Sequence, residues 1–246
     1  MLELSGRTAV VTGGASGIGA GVVAELQKRG VQVASLDIVR GGPAELEITC
    51  DVSDEASVDA GVDAAVRHLG GLHYAFCNAG VAGMAGVLGM SSAEWDRVIG
   101  VDLRGVFLTL QRTARAIRDT GGGGAIVCTA STAGILSDMG MAHYSVAKIG
   151  VRQLVRVAAR ELGPFGITVN AVAPGLTDTP MTAPTKDIEG YHDRLVANTP
   201  LRRIGQIDDI VEAVLALFSM RWVTGQTLPA VGTDIPGITA EVLADW

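Results

Sequence analysis

A chain of 246 residues with 48% hydrophobic content can bury one large core, so a single domain spanning residues 1–246 is the expectation. Its formal net charge of -7 withholds the basic footprint that a nucleic acid partner requires. Glycine or charge interrupts every apolar run, which speaks against a membrane span, and Met1–Arg7 lacks the basic start and apolar stretch of an export signal, so a cytoplasmic protein is expected.

The first apolar run, Thr8–Val11, has strand character and leads into a glycine-rich turn that opens a helix over Gly17–Arg29, stopped by Gly30. Val31–Leu36 predicts a second strand ending at Asp37, and Asp54–Leu69 a helix capped by Ser53 or Asp54. Leu72–Cys77, Ala125–Thr129 and Ile167–Val172 predict further buried strands, alternating with helices over Ser92–Asp119 and Ala142–Leu162. Gly121 to Gly124 form a flexible turn. Strand alternating with helix implies an α/β protein with a Rossmann-type, doubly wound parallel sheet and helices on both faces. The stretch from Pro180 to Pro200 is polar, with three prolines and weak periodicity, and predicts a flap over a site. Cys50, Cys77 and Cys128 are odd in number and lie in apolar runs, which predicts buried free thiols and no metal site.

Directly after the first strand comes Thr12-Gly13-Gly14-Ala15-Ser16-Gly17-Ile18-Gly19. Glycines there let the backbone approach a pyrophosphate, while the first free N–H groups of the helix and its dipole favour the anion. The spacing differs from G-x-G-x-x-G, but the required strand precedes it and the helix follows. Asp37, eighteen residues beyond Gly19, can accept hydrogen bonds from an adenosine ribose and would repel a 2′-phosphate. NAD is therefore expected over NADP, with Arg40 the only nearby arginine able to soften the choice.

The most informative pattern is Tyr144-Ser145-Val146-Ala147-Lys148, thirteen residues after Ser131, a spacing that gains weight from the rest of the chain. The four-residue spacing sets phenol and ammonium one helical turn apart on one face. A tyrosine titrates near ~10, and an opposite charge within a few ångströms moves a pKa by roughly 1–3 units, enough to bring a phenol towards use as a base.

Jointly these segments resemble the short-chain dehydrogenase/reductase family over essentially the whole chain. Thr12 to Gly19 is similar to that family's cofactor loop, with Gly13, Ser16, Gly17, Ile18 and Gly19 as contacts and Asp37 with Ile38 beyond it. Asp51-Val52 is similar to its adenine contact, and Asn78-Ala79-Gly80 to its strand-ending motif. Asn170-Ala171-Val172-Ala173-Pro174-Gly175, followed by Thr177 and Thr179, is similar to the segment that holds the nicotinamide carboxamide. The resemblance implies a sheet of about seven strands and hydride transfer between an alcohol or carbonyl carbon and the nicotinamide. Tyr144 would transfer the proton of the substrate oxygen, Ser131 would hydrogen-bond that oxygen, and Lys148 would lower the tyrosine pKa and bind the nicotinamide ribose, which makes Tyr144 and Lys148 cofactor contacts as well. A homotetramer or homodimer is implied, with the Ser92–Asp119 and Ala142–Leu162 helices as interface elements.

Asp102 completes the candidate catalytic set as a departure, since the family usually carries asparagine there. In one reading its carboxylate tunes the proton relay through Lys148; in the other the side chain bonds within its own helix and the main-chain carbonyl does the work. The C-terminal part also departs: the connection from Phe218 to Trp222 is short, and Val231-Gly232-Thr233-Asp234 replaces the customary Asp-Gly-Gly. Val81, Met84, Leu136, Met139, Met141, Leu176 and Met181 flank the motifs and suggest a hydrophobic or alicyclic alcohol or ketone as substrate. His143 is expected to be a bystander. Open alternatives are a 3-oxoacyl thioester reductase, a catalytically silent NAD-binding redox-sensing module, and a lyase or epimerase that uses NAD transiently.

Overall fold

The structure, a computed structural model, describes residues 4–136 and 139–231. Seven strands form one parallel sheet in the order β3-β2-β1-β4-β5-β6-β7: β1 Thr8–Thr12, β2 Gln32–Asp37, β3 Leu46–Thr49, β4 Tyr74–Cys77, β5 Gly124–Thr129, β6 Ile167–Pro174 and β7 Thr227–Ala230. The order reverses at β1, which moves outward through β2 and β3 on one side and through β4 to β7 on the other. That reversal leaves a crevice at the carboxyl ends of β1 and β4, where open α/β sheets bind ligands.

Helices cover both faces because inward-facing residues alternate along each strand. Val10, Leu36, Ala75 and Ile126 join one core with Val58 and Val62 of α2 (Glu55–Leu69), Ile117 of α4 (Val106–Thr120) and Val151 and Val155 of α5 (Ala142–Leu162). Val11, Val33, Phe76 and Val127 join the other with Val22 and Leu26 of α1 (Gly17–Lys28) and Ile210, Val214 and Phe218 of α7 (Ile207–Ser219). Strands buried on both faces read as continuous apolar runs, as their sequences do. No described helix is long and apolar enough to cross a membrane.

Two elements depart from the sequence-based expectations, and the cap of α2 falls on one of its two candidates. The single helix expected over Ser92–Asp119 is interrupted: α3 (Ser92–Ile99) passes into a π-helical turn over Gly100–Gly105 before α4 begins. A Cβ on Gly105 would lie 2.8 Å from the Val52 side chain, so the turn packs directly on the loop after β3. The Pro180–Pro200 stretch is not featureless, since it folds into a 3₁₀ turn at Ala183–Asp187 and into α6 (Tyr191–Asn198). Helix α2 is capped by Asp54, whose carboxylate accepts the Ala56 N–H at 3.1 Å.

The short connection after α7 is clipped to the sheet by a buried amide. Asn170 donates to the Val223 carbonyl at 2.8 Å and accepts the Gln226 N–H at 3.0 Å, which sets β7 beside β6. Beyond Val231, the atypical Gly232-Thr233-Asp234 tail lies outside the described residues. Asn170→Ala should cost about 1–3 kcal/mol, because it strands a buried donor and acceptor. A fall in the urea midpoint at constant m would register that cost; an unchanged midpoint would show the clip to be dispensable.

Candidate active site

The glycine loop leaves β1 through Thr12, whose hydroxyl accepts the Asn78 N–H at 2.9 Å and the Ala79 N–H at 3.2 Å. The Asn78 amide donates back to the Thr12 carbonyl at 3.2 Å and accepts the Thr129 hydroxyl at 3.1 Å. Asn78 thus ties the ends of β1, β4 and β5 together, and its side chain is spent on the framework. Gly13 has φ +67°, and a Cβ there would lie 2.9 Å from Ala79 Cα; a Cβ on Gly19 would run into the Gly13 carbonyl. Both positions admit only glycine.

The residues fit a dinucleotide. Ser16 caps α1 in an extended conformation, its side chain makes no capping bond, and the first turn carries no acid, so the helix dipole and free N–H groups stand uncompensated there. Gly17, at φ +54°, faces Thr179 and Pro180, whose atoms would lie 3.8 Å from a Cβ placed on it. The segment after β6 therefore forms the opposite wall. Asp37, at the end of β2, accepts the Ala15 N–H at 3.0 Å and the Val39 N–H at 3.2 Å, one on each oxygen. Those bonds aim the carboxylate and leave lone pairs for ribose hydroxyls.

Other sequence-expected contacts have prior commitments. Asp51 accepts the Ser53 N–H at 2.9 Å and its hydroxyl at 2.7 Å, and Val52 is buried against Gly105. Ile38, 68% exposed, is free to cover a ring. Ile18 packs on the α1 and α7 core. The Thr177 hydroxyl donates to the Gly175 carbonyl at 3.0 Å, and those of Thr179 and Thr182 lie 3.1 Å apart. Of this wall, Pro174 belongs to β6, and the side chains of Thr179 and Pro180 are what face Gly17.

Ser131, two residues beyond β5, caps a 3₁₀ turn over Thr132–Gly134, its hydroxyl oxygen accepting the Ala133 N–H at 3.2 Å. Helix α5 crosses that turn so closely that a Cβ on Gly134 would lie 2.7 Å from the Lys148 main chain. Arg152, one turn further along α5, donates to the Gly134 carbonyl at 2.7 Å and fixes the approach. Lys148 is buried, with its ammonium 5.3 Å from the centroid of the Tyr144 ring. The ammonium donates to the Thr129 carbonyl at 3.2 Å and pairs with Asp102 at 3.0 Å.

Asp102 sits in the π turn, with no solvent exposure, and its carboxylate accepts the Val81 N–H at 3.3 Å. The side chain therefore bonds outside its own helix. π turns recur at functional positions because the extra residue turns a side chain out of the regular ladder. Burial is the largest single influence on Lys148 and opposes its charge, but the Asp102 carboxylate and the Tyr144 phenol outweigh it and hold its pKa above the ordinary lysine range.

A second cluster had no signal in the sequence beyond helical spacing. Glu94 of α3 is gripped by Arg97, whose guanidinium holds the carboxyl down at about 2, and Arg97 also donates to the Ala82 carbonyl at 2.7 Å. His143 is buried with Nε2 3.4 Å from Glu94, facing this cluster. Together they fasten the loop that follows Val81. That loop meets the α5 approach, where Ala85 N–H donates to the Gly140 carbonyl at 2.8 Å, and Met84, Val87, Leu88, Met139 and Met181 expose their side chains there. Of these, Val87 and Leu88 were not expected from sequence; Val81, Leu136, Met141 and Leu176 are half-buried behind them. Cys50, Cys77 and Cys128 are buried free thiols, and Cys77 and Cys128 are paired across β4 and β5. A separate depression of about 470 Å³ lies between α2 and α4, with Arg67 and Arg118 in the last turns of the two helices, where the helix dipole favours cations, and Arg118 paired with Asp119.

Residues 13–232 match the family model described as enoyl-(acyl carrier protein) reductase. The chain is 36% identical to the mitochondrial (-)-isopiperitenol/(-)-carveol dehydrogenase of Mentha piperita over 94% of each chain. It is 38% identical to cis-4-hydroxycyclohexanecarboxylate dehydrogenase of Sinomonas cyclohexanicum, over 87% of this chain and 89% of that one. The crystal structure of levodione reductase superposes with a TM-score of 0.87 at 31% identity, covering 98% of this chain and 99% of that one.

The buried pair yields a stability prediction. Lys148→Met should destabilise the protein by about 3–5 kcal/mol, since it leaves Asp102 as an uncompensated buried charge. Lys148→Met/Asp102→Asn should recover most of that loss in urea unfolding; equal stabilities for the two variants would rule the account out. Because the lysine pKa is raised on folding, the stability that it contributes is fully present below the ordinary lysine value and lost only as pH climbs through the raised one.

Proposed function

The chain belongs to the short-chain dehydrogenase/reductase family, whose members use a nicotinamide cofactor, and from that premise we propose that it is an NAD-dependent oxidoreductase acting on a secondary alcohol or its ketone, with Tyr144 as the general acid/base. The observation that carries this reading is the buried Lys148 ammonium 5.3 Å from the Tyr144 ring, beside the glycine loop at the carboxyl ends of the strands. The bound nicotinamide would accept or return the hydride.

The chain's own residues do the rest. In alcohol oxidation Tyr144 takes the hydroxyl proton while the Ser131 hydroxyl hydrogen-bonds the same oxygen as negative charge builds on it. In ketone reduction Tyr144 returns that proton. Lys148 stabilises charge on the phenol and offers its remaining N–H to the nicotinamide ribose. Asp37 supports NAD over NADP, because a 2′-phosphate would meet its carboxylate. The open, apolar mouth of Met84, Val87, Leu88, Met139 and Met181 favours a hydrophobic or alicyclic substrate, in keeping with a relative whose name carries a cyclohexane ring. A second reading, reduction of 3-oxoacyl thioesters, is favoured by 34% identity to a 3-oxoacyl-[acyl-carrier-protein] reductase of Staphylococcus aureus. Association of copies through α4 and α5 is supported by Phe107, Val146, Ile149 and Val157, which expose apolar side chains along them.

A panel of cyclic ketones, cyclic alcohols and 3-oxoacyl thioesters, followed at the nicotinamide absorbance, tests the reaction. Turnover on ring substrates that drops by about 10²-fold or more in Tyr144→Phe is expected. Wild-type turnover in that variant would sink the tyrosine assignment, and thioester turnover alone would favour the second reading. NAD binding without turnover on any substrate would favour a redox-sensing module. For the cofactor, Asp37→Ala should lower kcat/KM with NAD by roughly tenfold or more, the worth of a charge-assisted hydrogen bond, and raise it with NADP. A wild type that prefers NADP would overturn the NAD assignment.

A further inference from the structure

Proton transfer through Tyr144 calls for positive charge beside the phenol, yet the closest charged contact of Lys148 is the Asp102 carboxylate, 3.0 Å away with both side chains buried. A negative charge that close offsets much of the ammonium's field at the ring, so the phenol meets the near end of a dipole. We propose that Asp102 is a positioning residue that acts through Lys148: a buried counter-ion that fixes the ammonium and sets the pH range in which Tyr144 exchanges protons, displacing it to the alkaline side. The inference rests on the reading of Tyr144 as the proton-transfer group.

Three features of the site support it. The π turn carries Asp102 inward, and both of its oxygens lie 3.3 Å from the Val81 N–H. A neutral amide oxygen would satisfy that N–H equally well, so what the carboxylate alone adds is charge. Lys148 is held from its other side by the Thr129 carbonyl at 3.2 Å, which keeps the pair from separating. Gly80 closes over both partners, since a Cβ there would press on the Asp102 carboxylate and lie 3.6 Å from the ammonium.

The elements packed around α5 bring few other charges to the phenol. Cys128 of β5 acts on Lys148, Arg97 of α3 feels Asp102 but is bonded to Glu94, and His143 faces that same glutamate. Ser131 in the 3₁₀ turn and Asn170 of β6 carry no charge.

The test is an ultraviolet titration of the Tyr144 phenol in the cofactor-free full chain, with Tyr144→Phe as the blank. In Asp102→Asn the titration should move to lower pH by about one unit, the low end of the effect of a neighbouring charge. The acid limb of kcat/KM for oxidation of whichever panel alcohol turns over should move with it. Superimposable titrations of wild type and Asp102→Asn would overturn the inference. If circular dichroism shows that Asp102→Asn does not fold, Lys148→Met and Lys148→Met/Asp102→Asn are compared instead. The single variant, with a lone carboxylate, should then titrate at higher pH than the double, and equal values would overturn the proposal. Because the absorbance needs no turnover, failure of every substrate would remove the catalytic reading while this inference is still decided by the titration.

Discussion

Burying an ammonium is the constraint around which this site is built. Lys148 sits almost wholly out of water, where an unpaired cation would lose its proton or unfold the chain. Its partners come from different parts of the fold: Asp102 from the π turn between α3 and α4, and Thr129 from the end of β5. The lysine can be charged only when those elements are in register. Sheet, helix and π turn are thus coupled through one side chain, and the same coupling fixes Tyr144 one turn earlier on α5.

The strand ends beneath the glycine loop are held by neutral groups. Thr12, Asn78 and Thr129 exchange hydrogen bonds across three strand ends, so the glycine loop leaves a rigid edge instead of a free turn. Removing any one partner would strand another in a buried setting, which costs more than the bond itself contributes. That arrangement explains why Asn78, Ala79, Thr12 and Gly13 occur together. Asn78 serves by shaping the loop, and Gly13 and Gly19 by giving the backbone room to follow that shape.

Much of this was legible in the residues because strand and helix alternate with distinct periods. Helix α5 was expected over Ala142–Leu162 and is found there, and the five strands read from apolar runs all pair in the sheet. The elements missed have physical reasons. Leu46–Thr49 is short, half-buried and lies at a sheet edge, so it shows no apolar run. In α7, residues Ile210 to Phe218 are apolar on nearly every face, which masks the helical period even though Asp209 accepts the Gln206 N–H at 2.7 Å and marks its start. The π turn could not be read at all, because nothing in Gly100–Gly105 encodes it locally. It depends on Val52, Val81 and Lys148, all distant in sequence, and those contacts are what direct Asp102 away from its own helix.

Chemistry and recognition are divided between two kinds of surface. The groups proposed to move a proton stand on α5 and just after β5, and Lys148 among them is braced by buried partners. Substrate recognition is proposed to fall instead to exposed apolar side chains on the loops after β4 and β5 and on the segment after β6. Methionines such as Met84, Met139 and Met181 reshape at low cost, so on the proposed reading the mouth would accept different apolar bodies while Tyr144 and Ser131 would hold the carbinol carbon to one position. The Glu94–Arg97–His143 cluster joins the two surfaces, since it anchors the loop after Val81 to α3 and α5, and Val81 itself donates to Asp102. A change in the substrate loop is therefore felt at the carboxylate that balances Lys148. If both proposed roles hold, specificity and proton affinity are linked through one main-chain N–H.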